Sequence, residues 1–418
     1  MRFRFQITLK LAICLSAITV LPTLAQNAAP PAAHWVGTWA SSQQVPEPAN
    51  ALPPDELRDA TLRQIVHLSV GGGELRVHLS NAFGTSPLHV DSVHIARPVS
   101  AASDEIDVTT DRALTFGGSS EVVIPAGAEY ISDPVDYPVR ALSNLAISFH
   151  LQEPPAPETG HPGSRATSYA VHGNLVSAAT LPNVTKVDHW YQIAGVDVTT
   201  SANAVSVVAL GDSITDGHAS TTNGNDRWTD ILAERLERSP ITRQIGVLNQ
   251  GIGGNHLLVD GLGPNALARF NRDVLAQTGV RYLIVLEGVN DLGRLTRQGE
   301  VPVAEHEALV AQILAAFQQM ILRAHTHGIK IIGATITPYA GSDYYRPTAR
   351  DEVDRTEVNA WIRAPGHFDA VIDFDQVVRD PSQPDRLRPS YDSGDHLHPS
   401  PAGYRAMANA VPLSLFNL

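Results

Sequence analysis

Apolar and polar residues recur with two different periods along this chain, and the change falls near residue 200. In the first half, Leu75, Val77 and Leu79 alternate with Arg76, His78 and Ser80. A period of two puts one face of a strand into a core. Residues 90–95, 121–124 and 145–151 read as further strands. Gly71-Gly72-Gly73, Gly117-Gly118 and Pro125-Ala126-Gly127 punctuate them, and Pro154-Pro155-Ala156-Pro157 marks an extended loop. Many short strands with Gly/Pro turns predict an all-β sandwich of jelly-roll type. From residue 204 onward, short apolar runs at 205–210, 244–248, 282–286, 329–335 and 371–374 alternate with helical stretches. That alternation predicts α/β architecture with a parallel sheet. The clearest helix is 303–326, where Leu309, Val310, Ile313, Leu314, Phe317, Met320 and Ile321 form one apolar stripe and Gly328 follows the end. A last helix is expected over 402–410.

A chain of 418 residues exceeds one typical domain. The pattern divides it into a signal segment (1–25), an Ala/Pro-rich flexible lead-in (26–34), a β-sandwich accessory domain (35–198) and an α/β catalytic domain (199–418). In the signal segment Arg2, Arg4 and Lys10 precede a mostly apolar run over 11–24, and Thr23-Leu24-Ala25 suits cleavage. The expected location is therefore secreted or periplasmic. The run is too short to span a bilayer comfortably, and no integral membrane association is expected. Cys14 is the one cysteine and lies inside this segment. The cleaved chain would have neither disulfide nor reactive thiolate. A formal net charge of −13 argues against binding to nucleic acid.

Candidate chemistry gathers where the apolar runs end. Gly211-Asp212-Ser213-Ile214-Thr215-Asp216-Gly217 follows the run at 205–210. A serine on a turn just after a strand stands at the sheet rim, where ligands bind. Alone, it would more often cap a helix. As a nucleophile it needs a base and an oxyanion site. Asp395-His396-Leu397-His398 offers an acid three residues before a histidine, close enough to fold back on the imidazole. Asp395, His396 and His398 also pass as metal ligands, although a catalytic metal normally takes three ligands with supporting partners. Asn249-Gln250-Gly251-Ile252-Gly253-Gly254-Asn255 and Gly288-Val289-Asn290-Asp291 follow two more runs. Gly254 and Asn290 there are turn formers or oxyanion donors, and Asp212, Asp216 and Asp291 suit loop geometry. Trp35 and Trp39 suit core packing, and His161 is a candidate to approach the site.

At these residues the chain resembles the SGNH, or GDSL, hydrolase superfamily, whose four sequence blocks stand here in order. The resemblance covers about residues 200–418 and implies a three-layer α/β fold. It implies Ser213 as nucleophile, His398 as base and Asp395 as its orienter. It further implies the Gly254 N–H, the Ser213 N–H and the Asn290 amide as the oxyanion hole. The front half, through Trp35-Val36-Gly37-Thr38-Trp39 and 75–84, is similar to secreted esterases linked to plant cell-wall degradation.

The expected protein is a serine carboxylic-ester hydrolase acting on short-acyl, above all acetyl, esters of carbohydrate, with no cofactor and no metal. Its partner is a small-molecule or polysaccharide ester. The alternatives are a lipase or lysophospholipase, acyl transfer in place of hydrolysis, and a glycan-binding protein acting through the β-domain.

Overall fold

The computed structural model describes residues 34–416. The signal segment, Cys14 and nearly all of the lead-in lie outside the described residues. His34, placed in the lead-in by sequence, opens the strand His34–Ala40.

The first half forms two main antiparallel sheets. One runs His34–Ala40, Ile193–Thr200, Gly72–Ser80 and Glu129–Ile131, with Val135–Val139 also on Gly72–Ser80. The other runs Thr185–Val187, Ser168–His172, Ala60–His67, Asn144–Leu151, Ser92–Pro98 and Ile106–Ala113. Leu75, Val77, Leu79, Val196 and Val198 from the first share one buried apolar cluster with Leu62, Val66, Ile95, Ile147 and Phe149 from the second. The alternation at 75–80 thus buries leucine and valine and leaves Arg76 and His78 partly open. Trp39 packs inside this cluster, edge-on to Trp190 at 4.9 Å. The run at 90–95 is two strands, Leu88–Val90 and Ser92–Pro98. Asp91 breaks it: its carboxylate pairs with the His150 ring at 2.9 Å.

The second half holds a five-stranded parallel sheet in the order Ile245–Gly251, Val205–Gly211, Val280–Leu286, Lys330–Ala334, Ala370–Ile372. Its strands are buried and apolar, as strands of a parallel sheet are. The stripe at 303–326 is the helix Val303–Thr326, with Val310, Ile313, Phe317 and Met320 buried. The last helix is Pro401–Ala410, capped by Ser400. Val205–Gly211 comes first in sequence yet lies between the second and third strands, so the strand order reverses beside it. A crevice opens outside the carboxyl ends at such a point, and Ser213 is two residues past this end.

The two halves are packed into one compact unit from His34 on. Ser206 Oγ donates to Thr278 O at 2.8 Å, and Gly37 N to the same carbonyl at 3.0 Å. A Cβ on Gly246 would stand 2.0 Å from Gly37 O. Only glycine permits that approach of strand to strand.

Candidate active site

The Ser213 turn is built locally. Gly211 ends a buried strand, and Asp212 Oδ1 accepts the Ile214 N–H at 2.9 Å, capping the short helix Ser213–Asp216. Gly217, at φ +99°, closes it. The result lifts the Ser213 hydroxyl to the sheet rim on a rigid turn. The Asp395–His398 segment is equally local. Asp395 Oδ1 accepts the N–H groups of Leu397 and His398 at 3.0 and 2.8 Å, and Oδ2 meets His398 Nδ1 at 2.6 Å. His396, at φ +59°, makes the reversal. Burial opposes ionisation of Asp395, but the hydrogen bonds from His398 outweigh it and hold the carboxyl well below its usual range.

Tertiary structure joins the two segments. His398 Nε2 lies 2.8 Å from Ser213 Oγ. With Nδ1–H donated to Asp395, Nε2 presents its lone pair to the serine hydroxyl. Gly254 stands at φ +66°, and a side chain there would crowd Leu262 at 3.2 Å. Neither the Ser213 nor the Gly254 N–H has an acceptor among the described residues. The Asn290 amide donates one N–H to Asn255 O at 2.7 Å, which leaves its second N–H unspent. Ser213, Gly254, Asn290, Asp395 and His398 line one open cleft of about 680 Å³. The five residues to which the resemblance assigns the triad and the oxyanion hole are therefore brought together.

The loops are held from beneath by a buried polar layer. Asp291 accepts the Leu257 and Leu258 N–H groups at 2.8 and 3.1 Å, fixing the segment after Gly254. Burial raises Asp291 to about 6. Burial, with Asp291 and Asp216 nearby, raises Asp212 to about 7. Glu287 is pushed well above its ordinary value by burial and by Asp212. Arg269 offsets this crowding of carboxyls. Its guanidinium reaches Gly211 O at 2.9 Å, Gln250 O at 2.6 Å, Asn255 Oδ1 at 2.9 Å and Asp273 Oδ2 at 3.0 Å. One arginine thus ties together the ends of two strands and a site loop. Asp273 also accepts from Ser42, which connects the layer to the β-sheets.

His161 does not enter the cleft. It is buried, bonded to Asp216 Oδ1 at 2.9 Å, and steadies the serine turn from the β-sheets. His396 pairs with Asp392. The sequence reading missed His218, Arg165, Tyr345 and Arg269. The His218 ring lies 4.0 Å from that of His398 and receives a hydrogen bond from Arg165 at 2.9 Å. Burial, with His398 and Arg165 close by, lowers His218 to about 4, so it is neutral near pH 7. His218, Asp395 and His398 bring metal-capable atoms within 4.8 Å of one another, as do His306, Asp351 and Asp354. In the first group both His398 nitrogens are already taken, by Ser213 and Asp395. In the second, Asp351 caps a helix at Thr348, and His306 bonds Asp354.

Residues 209–406 match the GDSL-like Lipase/Acylhydrolase family. That part of the chain belongs to this family, and the protein is a carboxylic ester hydrolase of the GDSL type. No curated protein matches the chain. Solved structures similar to it include a GDSL-like lipase from Bacteroides thetaiotaomicron VPI-5482 at 20% identity, covering 49% of this chain and 84% of that one, with a TM-score of 0.36. A lipase/acylhydrolase from Enterococcus faecalis is 20% identical, covering 49% and 92%, with a TM-score of 0.35. An acetyl xylan esterase is 22% identical, covering 49% and 97%, with a TM-score of 0.37.

Proposed function

We propose that the protein is an exported esterase that removes short acyl groups, above all acetate, from carbohydrate through Ser213, His398 and Asp395. The observation that carries this is the 2.8 Å contact from Ser213 Oγ to His398 Nε2, with Asp395 2.6 Å from the far nitrogen. His398 takes the Ser213 proton as Oγ attacks the acyl carbonyl. The Ser213 and Gly254 N–H groups and the free Asn290 N–H receive the oxyanion. His398 then protonates the departing alcohol. Water, deprotonated by the same ring, releases the acid and restores the serine.

The cleft supports carbohydrate over a long acyl chain. Ser342, Asp343 and His218 stand among Leu262, Leu397 and Tyr344 in its wall. Such a mixed, open wall suits a hydroxylated ligand, whereas a long chain needs continuous apolar lining. In this reading the strand-rich half is a sandwich-type accessory domain that braces the site through His161 and Arg165. Export rests on the sequence of residues 1–25, and no helix among the described residues is long and apolar enough to cross a membrane.

The test compares wild type with Ser213→Ala on p-nitrophenyl acetate, p-nitrophenyl palmitate and acetylated xylooligosaccharides. Wild type should favour the acetyl esters, and the variant should lose on the order of 10⁴-fold or more in kcat. Retention of most activity by Ser213→Ala would overturn the proposal, and a preference for palmitate would overturn the substrate class.

A further inference from the structure

A second cavity, of about 560 Å³, adjoins the catalytic cleft and shares Gly254, Leu262, Tyr344 and Tyr345 with it. Its distinctive residues are Arg294 and Arg297, both exposed. The Arg294 guanidinium makes no ion pair or hydrogen bond with any described residue. Arg297 stacks over the Tyr344 ring at 4.0 Å and donates to its hydroxyl at 3.1 Å, with no carboxylate partner. Two carboxyls stand in the same cavity, and neither forms an ion pair with these cations, although Arg294 is near enough to Asp291 to oppose in part the effect of burial on that carboxyl. Asp291 faces the Leu257 and Leu258 N–H groups, and Asp260 accepts from Asn265. Tyr344 is 55% exposed and is held by Arg297 on its face and by Tyr345 edge-on at 4.7 Å.

Resting on the esterase reading, we infer that this second cavity is a subsite for a carboxylate-bearing sugar of the ester substrate. A guanidinium recognises a carboxylate through a planar, two-point hydrogen-bonding fork, so two guanidiniums without an ion-pair partner in one cavity wall suit that group. An ordered, exposed tyrosine beside them offers a flat apolar surface for a sugar ring. The net charge of −13 makes the local cations more telling. At long range the chain repels a polyanion, so such a substrate is held only where positive charge is concentrated. The shared wall sets the direction of binding. A sugar unit seated on Tyr344 lies next to the unit whose ester enters the cleft at Ser213.

The experiment measures kcat/KM on acetylated oligogalacturonides and on acetylated xylooligosaccharides of matched length, for wild type and for Arg294→Gln/Arg297→Gln. Wild type should prefer the acidic ester, and the preference should shrink at high salt. In the double variant the acidic-to-neutral ratio should fall roughly five- to tenfold, the scale of two exposed charge pairs. Because each ratio is taken within one protein sample, partial misfolding cancels. An acetylated, phosphorylated sugar tests the other anion: equal preference for phosphate would overturn the assignment to carboxylate. An unchanged ratio, or equal loss on both esters, would overturn the subsite while leaving the esterase reading intact. Failure of wild type on every ester would sink that reading instead.

Discussion

The Tyr345 hydroxyl donates to Asn290 Oδ1 at 2.6 Å, while Asn290 Nδ2 donates to Asn255 O at 2.7 Å. These two bonds fix the amide plane and leave one N–H facing the cleft. Tyr345 is itself mostly buried, and burial raises its hydroxyl far above the ordinary tyrosine range, so it stays a donor. Tyr345→Phe should lower kcat for p-nitrophenyl acetate roughly tenfold with little change in KM, since the amide then samples other orientations. Unchanged turnover would show that Asn255 alone holds the amide.

Removing the donor should cost more than loosening it. Asn290→Ala is expected to lower kcat on the order of a hundredfold or more. Combining it with Tyr345→Phe should add little, because both act through one amide. A double-mutant cycle measures this, and fully additive losses would contradict it.

Asp395→Asn keeps the size of the side chain but not its charge. The imidazolium formed during attack then loses its counter-charge, and an amide N–H can force the wrong tautomer on His398. Turnover should fall by about 10²–10⁴, while the melting temperature shifts little because the Asp395 side chain is 42% exposed. The Asp395 carboxyl is held well below its usual range, so wild type should keep this carboxylate charged at pH 4 and below. Full activity in the variant at pH 7 would remove Asp395 from the mechanism.

Arg269 should matter for stability as much as for rate. Both Arg269 and Glu287 have fully buried side chains, and Asp273 is nearly so. Arg269→Met leaves Glu287 without its arginine partner and Asp273 with Arg272 alone, and it frees two carbonyls. A loss of about 3–5 kcal/mol is expected in chemical denaturation, with site loops more open to proteolysis. A loss under about 1 kcal/mol would show that the layer holds without it.

Glu158 gives a pH signature outside the site. It is 9% exposed, and burial raises its carboxyl from 4.5 to about 7. The folded state therefore holds this proton where the unfolded chain releases it. The contribution is fully present below about pH 4.5 and is lost as pH rises to about 7. Glu158→Gln should remove a drop on the order of 2 kcal/mol across that window. Thermal melts of both proteins from pH 4 to 8 measure it, and parallel curves would refute it.

Local order carried much of this protein into view. The apolar stripe at 303–326 fixes a helix with those bounds, because periodicity and a following glycine act within a few turns. Ser213, Gly254 and Asn290 each follow a strand closely, and Asp395 reaches His398 across three residues. Their candidacy is legible because the geometry of each is settled by its neighbours in sequence. The single strand expected over 90–95 failed for the opposite reason, since Asp91 answers to His150, 59 residues away. The same holds for what the sequence left hidden. Tyr345 meets Asn290 across 55 residues, Arg165 meets His218 across 53, and Arg269 bonds to Gly211 across 58. An arginine can be buried only where carbonyls and carboxyls from separate segments converge, and no spacing along the chain announces that convergence. Sequence thus determined the elements and the reactive groups. Folding decided which of them share a cleft and what holds them there, because burial and long-range hydrogen bonding belong to the packed whole.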